Sequence, residues 1–200
     1  MRLRGRVPGR RCLSSSLFVG SKRLTCRIRA CIDLDLPTAQ KTCTAIQQSL
    51  PHSSKILPYP CDVTSEPDVG SAFSSIVSDF GSIDVLVTAA GIVDNVAAEE
   101  YGYERWKKML DVNLNGTFLC AREAGRSMLE RGKGGSVVLV GSMSGMICVR
   151  PQKQAAYNAV SWISAHVGFP FFRGVLWAFF IAWGNTGRLQ ERRPNHKRTA

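Results

Sequence analysis

A serine and a tyrosine in the C-terminal half of the chain have side chains suited to proton transfer at a substrate oxygen. The unbroken apolar run Val137 to Val140 predicts a strand buried on both faces of a parallel sheet. The run stops at Gly141 and places Ser142 at its carboxyl end, the edge where ligands lie in open α/β sheets. Tyr157 follows in a segment that could begin a helix. A hydroxyl and a phenol can therefore converge on one substrate oxygen.

The residues around this pair resemble the active-site segment of the short-chain dehydrogenases/reductases. The resemblance lies in Gly-Ser-Met-Ser-Gly at 141–145 and Pro-Gln-x-Gln-x-x-Tyr-Asn-Ala at 151–159, and it favours the sugar and polyol members of that family. It implies hydride transfer between a nicotinamide cofactor and a small secondary alcohol or ketone. Tyr157 would be the acid/base, beside the cofactor, and Ser142 would orient the substrate oxygen.

One departure from the family pattern affects the expected chemistry. The family continues with a lysine four residues after the tyrosine, where this chain has Ser161. A cation near a phenol favours its charged form. Without that cation we expect Tyr157 to stay mostly protonated near neutral pH and the activity of this chain to be impaired. The alternative is a catalytically inactive remnant that binds no cofactor.

The resemblance also assigns an acidic residue to the cofactor. Asp33 ends a predicted strand from Arg27 to Leu34, and in the family such a residue accepts hydrogen bonds from the adenosine ribose and favours NAD over NADP. By spacing alone it could equally be a helix-entry aspartate, because Asp35 and Pro37 mark a helix start. The resemblance favours the cofactor role.

Two further strand ends match the family's cofactor site. Asp62 and Val63 follow a predicted strand from Lys55 to Pro60 and correspond to the family's adenine-contacting pair. The predicted strand Ile83 to Val87 runs into a Thr-Ala-Ala-Gly turn, where the family has Asn-Asn-Ala-Gly. The cofactor candidates in this turn are Ala89, Ala90 and Gly91. A plain strand-end turn would need small residues as well.

A long predicted helix, Trp106 to Arg131, carries residues that are poor helix formers. Asn113 and Gly116 in a helix interior each cost roughly 0.5–1 kcal/mol relative to Ala, and such a broken rule often has a functional reason. The surrounding Val-Asn-Leu matches the family's catalytic asparagine, which positions a water in the proton relay. The alternatives are that Asn113 is an exposed polar residue, or that Asn115 has the role.

The alternation of strands and helices from 28 to 159 predicts an α/β fold with a Rossmann-like, doubly wound parallel sheet. We expect this sheet to be incomplete. Gly5 and Gly9 do not form the Gly-rich loop of the family, because Arg11 replaces the third glycine and no strand precedes them. The first strand and the final strands are therefore expected to be missing, leaving a basic segment 1–27, a partial domain 28–159 and a non-homologous tail 160–200. Translated non-coding sequence is the hypothesis for both ends.

The net charge of +11 belongs to the two ends of the chain. Residues 1–30 carry nine basic and no acidic side chains, whereas 31–159 are mildly acidic. No aromatic residues interleave with the terminal arginines, so we expect no nucleic-acid partner. No metal site is predicted. The seven cysteines contain no CxxC pair and are expected to be free thiols in a reducing compartment.

The composition of the chain and the family resemblance also give expectations about its location and assembly. We expect a cytoplasmic protein; the Arg-rich start would instead suit a mitochondrial transit peptide. The apolar stretch 162–183 has the length of a membrane span, but Pro170 and Arg173 argue against one. Family members are commonly dimers or tetramers, which implies a homo-oligomer through the helices of Asn113 and Tyr157.

Overall fold

The computed structural model describes residues 17–21, 27–49, 55–148, 150–166 and 175–182 of the 200-residue chain. Six strands form one sheet in the order β3-β2-β1-β4-β5-β6. The strands are β1 Leu17–Ser21, β2 Arg27–Asp33, β3 Leu57–Pro60, β4 Val85–Thr88, β5 Gly135–Ser142 and β6 Val175–Ala182. This order is that of the dinucleotide-binding doubly wound fold, so the predicted fold class is confirmed.

The central position of the sheet is occupied, although not by the family's parallel first strand with its Gly-rich loop, which is missing among the described residues as expected. β1 lies between β2 and β4 and pairs with both, so neither neighbour is left with an unpaired edge there. Its direction is reversed: β1 is antiparallel to both neighbours, whereas the pairs β2–β3, β4–β5 and β5–β6 are parallel. The hydrogen-bonding capacity of the two inner strands is thus satisfied by a strand of the opposite direction.

One strand lies beyond the residues that correspond to the expected partial domain. β6, which lies inside the predicted non-homologous tail, pairs with β5 along its whole length. An apolar run is what a strand in a parallel sheet requires, so the same composition that suggested a membrane span also suits β6. Within the described part of the chain, no helix is long and apolar enough to cross a membrane.

Helices cover both faces of the sheet. They are α1 Leu36–Ser49, α2 Glu66–Phe80, α3 Tyr103–Leu110, α4 Gly116–Glu130 and α5 Ala155–His166. Successive residues of a strand point to opposite faces. Cys31 of β2 packs with Cys43 of α1, whereas its neighbour Ile32 belongs to the main core with α2 and α4. The two helical layers therefore lie on opposite faces of β2.

The apolar stripes predicted on α1 and α2 face the core. Val69, Phe73 and Ile76 of α2 are buried and Phe80 is half-buried; on α1, Ala39 and Cys43 are buried and Ile46 is half-buried. The predicted fourth member of the α1 stripe, Leu50, lies outside the described residues. Four of the described cysteines are buried and Cys148 is exposed, and all five are free thiols.

The long helix predicted from Trp106 to Arg131 exists, with an irregular turn at its centre. α3 continues through a π-helical turn, Asp111–Asn115, directly into α4. Asn113 is the central residue of this turn. Such π turns occur often at functional sites, because they re-aim a side chain without ending the helix.

Candidate active site

The predicted site residues gather at the edge where the parallel strands end. Asp33 ends β2, Asp62 follows β3, Gly91 follows β4 and Ser142 ends β5. The backbone carbonyl of Asp33 accepts a hydrogen bond from the amide of Cys61 at 2.9 Å, which places the ends of β2 and β3 side by side. The structure thus brings the adenosine-side and catalytic candidates to one edge, as the sequence predicts.

Two neighbouring aspartates at the end of β2 have different environments. Asp35 caps α1, because its carboxylate accepts a hydrogen bond from the amide of Thr38 at 3.0 Å. Asp33 is half-buried, and its Oδ1 accepts a hydrogen bond from the amide of Asp35 at 3.1 Å. The helix-entry role that the spacing left open is therefore filled by Asp35. Asp33 stays at the strand end, where a ribose would lie.

The end of β3 is shaped by tight packing against α4. Asp62 Oδ1 accepts hydrogen bonds from the amide of Thr64 at 2.9 Å and from its hydroxyl at 2.7 Å, which forms the turn into α2. A Cβ at Gly116 would lie 2.7 Å from Val63 Cγ2 and 3.1 Å from the Val63 carbonyl oxygen. The glycine that weakens the helix in isolation is thus explained by the close approach of Val63.

Asn113 fixes the loop that follows β4. Its Oδ1 accepts a hydrogen bond from the amide of Ile92 at 2.8 Å, and its Nδ2 donates to the carbonyl of Ile92 at 2.9 Å. The side chain also lies 3.5 Å from the position that a Cβ of Gly91 would occupy. Asn115, the alternative, is exposed and donates to Asp111 on the outer side of the turn. The inward-facing asparagine is therefore Asn113.

The end of β5 is joined closely to α5. Ser142 Oγ accepts a hydrogen bond from the amide of Ser144 at 3.2 Å and so begins a 3₁₀ turn, Met143–Gly145. A Cβ at Gly145 would lie 2.6 Å from the backbone carbonyl carbon and oxygen of Ser161. α5 therefore crosses directly over this turn, and that contact sets its position relative to Ser142.

Tyr157 lies in the first two turns of α5, half-buried in an apolar cluster that includes Ile92, Met109 and Leu114. Through Ile92 and Leu114 this cluster adjoins the Asn113 turn, and α5 also packs against β5. Tyr157, Asn113 and Ser142 are thus borne by elements that contact one another. Ser161, at the family's lysine position one turn further along the same helix, is buried.

A network that the sequence analysis did not find holds the β4–α3 loop. Asp94 accepts a hydrogen bond from the Tyr101 hydroxyl at 2.7 Å and forms an ion pair with Arg105 at 2.9 Å. Desolvation, reinforced by the hydrogen bond to Asp94, raises the pKa of Tyr101 to about 12. The i, i+4 spacing of Tyr101 and Arg105 was a usable signal for their contact. No local sequence pattern indicated that Asp94 would contact these two residues.

A cavity of about 280 Å³ opens beside the start of α5. Its lining is polar on one side, with Gln152, Gln154 and Asn158, and it reaches the loop after β4 at Val96. Val96 and Gln154 are joined by a parallel bridge, which fixes the two walls relative to each other. The Oδ1 atom of Asn158 is buried without a hydrogen-bond partner among the described residues.

The described residues fit one half of a dinucleotide and not the other. The adenosine half fits: a carboxylate stands at the end of β2, with Asp62, Val63 and the small residues of the Ala89–Gly91 turn along the same edge. The pyrophosphate half does not fit. In the fold family this part is held by a Gly-rich turn between the carboxyl end of the central strand and a helix. Here the carboxyl end of β1, Ser21, pairs with Arg27 at the opposite edge.

The chain also matches a family of known proteins. The family model described as short chain dehydrogenase matches residues 25–161. The chain therefore belongs to the short-chain dehydrogenase family.

The chain is similar to two curated relatives and to one solved structure of this kind. The chain is 38% identical over 130 residues to a sorbose reductase of Candida albicans, covering 64% of this chain and 45% of that protein. It is 38% identical over 102 residues to an NADH-dependent L-xylulose reductase of Ambrosiozyma monospora, covering 50% of this chain and 38% of the relative. A short-chain type dehydrogenase/reductase structure from Mycobacterium marinum aligns with a TM-score of 0.65 and 31% identity, over 68% of this chain and 54% of that one. The chain spans about half the length of these proteins.

Proposed function

We propose that the site belongs to an oxidoreductase that interconverts a secondary alcohol and a ketone of the sugar or polyol type. The observation that carries this proposal is the arrangement of Ser142 at the end of β5 and Tyr157 on the helix packed across that strand end. The Ser142 hydroxyl would donate a hydrogen bond to the substrate oxygen. Tyr157 would give that oxygen a proton in reduction and take it back in oxidation.

The remaining residues support this proton transfer. A nicotinamide cofactor, when bound, supplies or accepts the hydride. Asn113 would position a water in the proton relay, and its two hydrogen bonds to Ile92 hold the loop beside Tyr157. Asp33 favours NAD over NADP, because a carboxylate repels a 2′-phosphate.

The substrate class is proposed from the cavity beside α5 and from the relatives. Gln152, Gln154 and Asn158 present amide groups, which can both donate to and accept from hydroxyls. The relatives named above reduce sorbose and L-xylulose.

We further propose that turnover by this 200-residue chain is impaired. Ser161 supplies no cation for the phenol, and the reversed β1 supplies no phosphate-binding turn at the site edge. The same two observations favour the second candidate function, a catalytically inactive relative of the dehydrogenases that binds no cofactor.

The decisive experiment measures NADH-dependent reduction of L-sorbose and L-xylulose by the purified chain, and the reverse oxidation of polyols with NAD. The proposal predicts slow turnover that is abolished in Tyr157→Phe and Ser142→Ala, and raised in Ser161→Lys. Tyr103→Phe, an exposed tyrosine on α3, serves as the matched control and should keep the wild-type rate. Turnover that persists in Tyr157→Phe would refute the assignment, and complete absence of turnover in all forms would favour the inactive relative.

Assembly and location are proposed as well. α4 and α5 carry exposed apolar side chains, with Phe118 39%, Leu129 45% and Trp162 55% accessible, as a homo-oligomer through these helices would require. Sedimentation analysis of the chain and of Trp162→Glu tests this: the substitution should shift an oligomer toward monomer. A cytoplasmic location is proposed on family grounds, and fractionation of a tagged chain would distinguish it from a mitochondrial one.

A further inference from the structure

We propose that Asp94 is a positioning residue for Tyr157, and that it acts through Tyr101 and through the loop between β4 and α3. The proposal rests on the proposed function, because it concerns the phenol to which the proton transfer is assigned. It goes beyond that function by naming the contacts, remote from the phenol itself, that hold it in place. Two independent routes in the structure connect Asp94 to Tyr157.

The first route runs through the ring of Tyr101. The Tyr101 hydroxyl donates a hydrogen bond to Asp94 at 2.7 Å. The ring of Tyr101 and the ring of Tyr157 pack against one buried cluster. The three members of that cluster are each no more than 3% exposed: Met109, Ala156 and Val160. Close-packed interiors transmit displacements, so a shift of the Tyr101 ring would reach Tyr157 through this cluster.

The second route runs along the backbone of the loop. Two residues after Asp94, Val96 forms a parallel bridge with Gln154. The carbonyl of Gln154 accepts a hydrogen bond from the amide of Asn158 at 2.8 Å, which closes the first turn of α5. Tyr157 lies within that turn. The loop therefore fixes where α5 begins, and with it the direction in which the Tyr157 side chain leaves the helix.

Of the two contacts that Asp94 makes, the hydrogen bond from Tyr101 is the stronger. The other contact, the ion pair with Arg105, is open to solvent, because the Arg105 side chain is 56% exposed and that of Asp94 is 26% exposed. Solvent screens an exposed ion pair, whereas a hydrogen bond from a half-buried phenol to a carboxylate keeps more of its strength. We therefore expect the position of Tyr157 to depend on an oxygen acceptor at residue 94 more than on its charge.

The test is fluorine NMR of the complete 200-residue chain, in which the four tyrosines are replaced by fluorotyrosine and assigned by substitution with phenylalanine. We expect Asp94→Ala to shift or broaden the Tyr157 resonance. The resonance of Tyr59 should stay unchanged, because Tyr59 packs in a different core cluster. Asp94→Asn keeps an oxygen acceptor for the Tyr101 hydroxyl and should restore the wild-type signal of Tyr157.

Tyr101→Phe is the second variant, and it decides the question even if Asp94→Ala does not fold. It keeps the ring in the cluster, removes only the hydroxyl, and should reproduce the change at Tyr157. The matched control is Glu104→Ala, which removes the acidic partner of Lys107 on α3, at 2.8 Å and 83% exposed. This control should leave the Tyr157 resonance in place. A Tyr157 resonance that stays unchanged in the first two variants, or that moves equally in Glu104→Ala, would overturn the inference.

Kinetics separate this inference from the proposed function. Where the wild-type chain reduces a sugar, Asp94→Ala should lower kcat about tenfold and leave KM within about twofold, because a misplaced acid/base weakens the transition state and not substrate binding. A raised KM with an unchanged kcat would contradict the positioning role and leave the proposed function standing. Absence of turnover in the wild type would count against the proposed function, and the NMR comparison would still decide whether Asp94 positions Tyr157.

Discussion

The identity of a single residue matters most in this protein where two backbone segments approach each other closely. Gly145 is the clearest case, since the backbone of Ser161 and the amide of Trp162 lie where its Cβ would be, at 2.6 and 2.8 Å. Neither neighbour can rotate away, because both are main-chain atoms. The contact fixes α5 over the 3₁₀ turn and thereby sets the separation between Ser142 and Tyr157.

We expect Gly145→Ala to lower the free energy of unfolding by about 1–3 kcal/mol through overpacking. The matched control is Gly70→Ala within α2, where nothing lies within 4 Å of the added methyl group. That substitution should stabilise the protein by roughly 0.5–1 kcal/mol through helix propensity. Chemical denaturation of both variants measures the difference. Equal effects at the two positions would contradict the tight crossing of α5.

The side-chain amide of Asn113 holds the loop that follows β4 through two hydrogen bonds to Ile92. Replacing it with Ala would leave the N–H and C=O groups of Ile92 without their partners, at a cost of about 1–3 kcal/mol. Asn115→Ala, on the exposed side of the same turn, should change stability by no more than about 0.5 kcal/mol. Hydrogen exchange at the Ile92 amide provides a local measurement. Protection that survives in Asn113→Ala would show that the loop is held by other contacts.

At the scale of elements, buried polar contacts join helices to strands and loops. Arg131 at the end of α4 forms an ion pair with Asp84, whose side chain is 6% exposed, and donates to the carbonyl of Gly134 at 2.8 Å. Asp84 lies directly before β4 and Gly134 directly before β5, so these contacts fix the end of α4 against the starts of both strands. A buried charge that loses its partner is costly, which makes the pair a test of the packing between α4 and the sheet.

Asp84→Asn is therefore expected to destabilise the protein by about 3 kcal/mol, because the Arg131 charge is left without its carboxylate. Glu123→Gln on α4 is the comparison, since Glu123 is 16% exposed and its partners Arg122 and Arg126 are 23% and 57% exposed. We expect a change of about 1 kcal/mol or less there. Urea denaturation of the two variants compares them directly. A similar small loss in both would mean that solvent screens the Asp84 pair.

The network of Asp94, Tyr101 and Arg105 makes the β4–α3 loop sensitive to alkaline pH. Desolvation and the hydrogen bond to Asp94 raise the pKa of Tyr101 to about 12, above the usual value near 10. The unfolded chain then loses this proton first, so stability falls as the pH rises from about 10 toward 12. Tyr101→Phe should show a smaller loss of stability between pH 7 and pH 11 in thermal unfolding scans. Identical pH dependence in both proteins would refute the assignment.

At the scale of the whole molecule, β1 is the element on which the sheet depends. It bridges two parallel pairs, β2–β3 on one side and β4 to β6 on the other. In the described part of the chain, the backbone of β1 forms the hydrogen bonds that join these halves through the sheet. Loss of β1 would leave two exposed strand edges at the centre of the protein.

Val19→Pro is the sharpest test of this role, since proline removes a backbone donor and is excluded from central strands. We expect this substitution to abolish cooperative unfolding, as measured by circular dichroism and by hydrogen exchange in β2 and β4. Val19→Ala keeps the N–H group and should retain a cooperative transition. If Val19→Pro unfolds like the wild type, the central position is not filled by β1.

The sequence by itself determined the local and periodic features of this protein. The apolar runs, the helix stripes and the strand-end positions of Asp33, Asp62, Gly91 and Ser142 follow from patterns within a few residues. They predicted the order of the elements from 28 to 159, and the motifs at 141–145 and 151–159 indicated the family by resemblance. The cost of Asn113 and Gly116 within a helix was also visible in the sequence, because propensity is a local property.

Only the tertiary structure decided the features that depend on residues distant in the chain. The direction of β1 depends on pairing with both neighbours, and a short apolar strand carries no sequence signal for its direction. The choice of Asn113 over Asn115 depends on which side of the π turn faces Ile92. The reasons for Gly116 and Gly145 lie in Val63 and Ser161, which reach them only through the fold. Close packing and strand direction are set by the whole chain, because many weak contacts must be satisfied together.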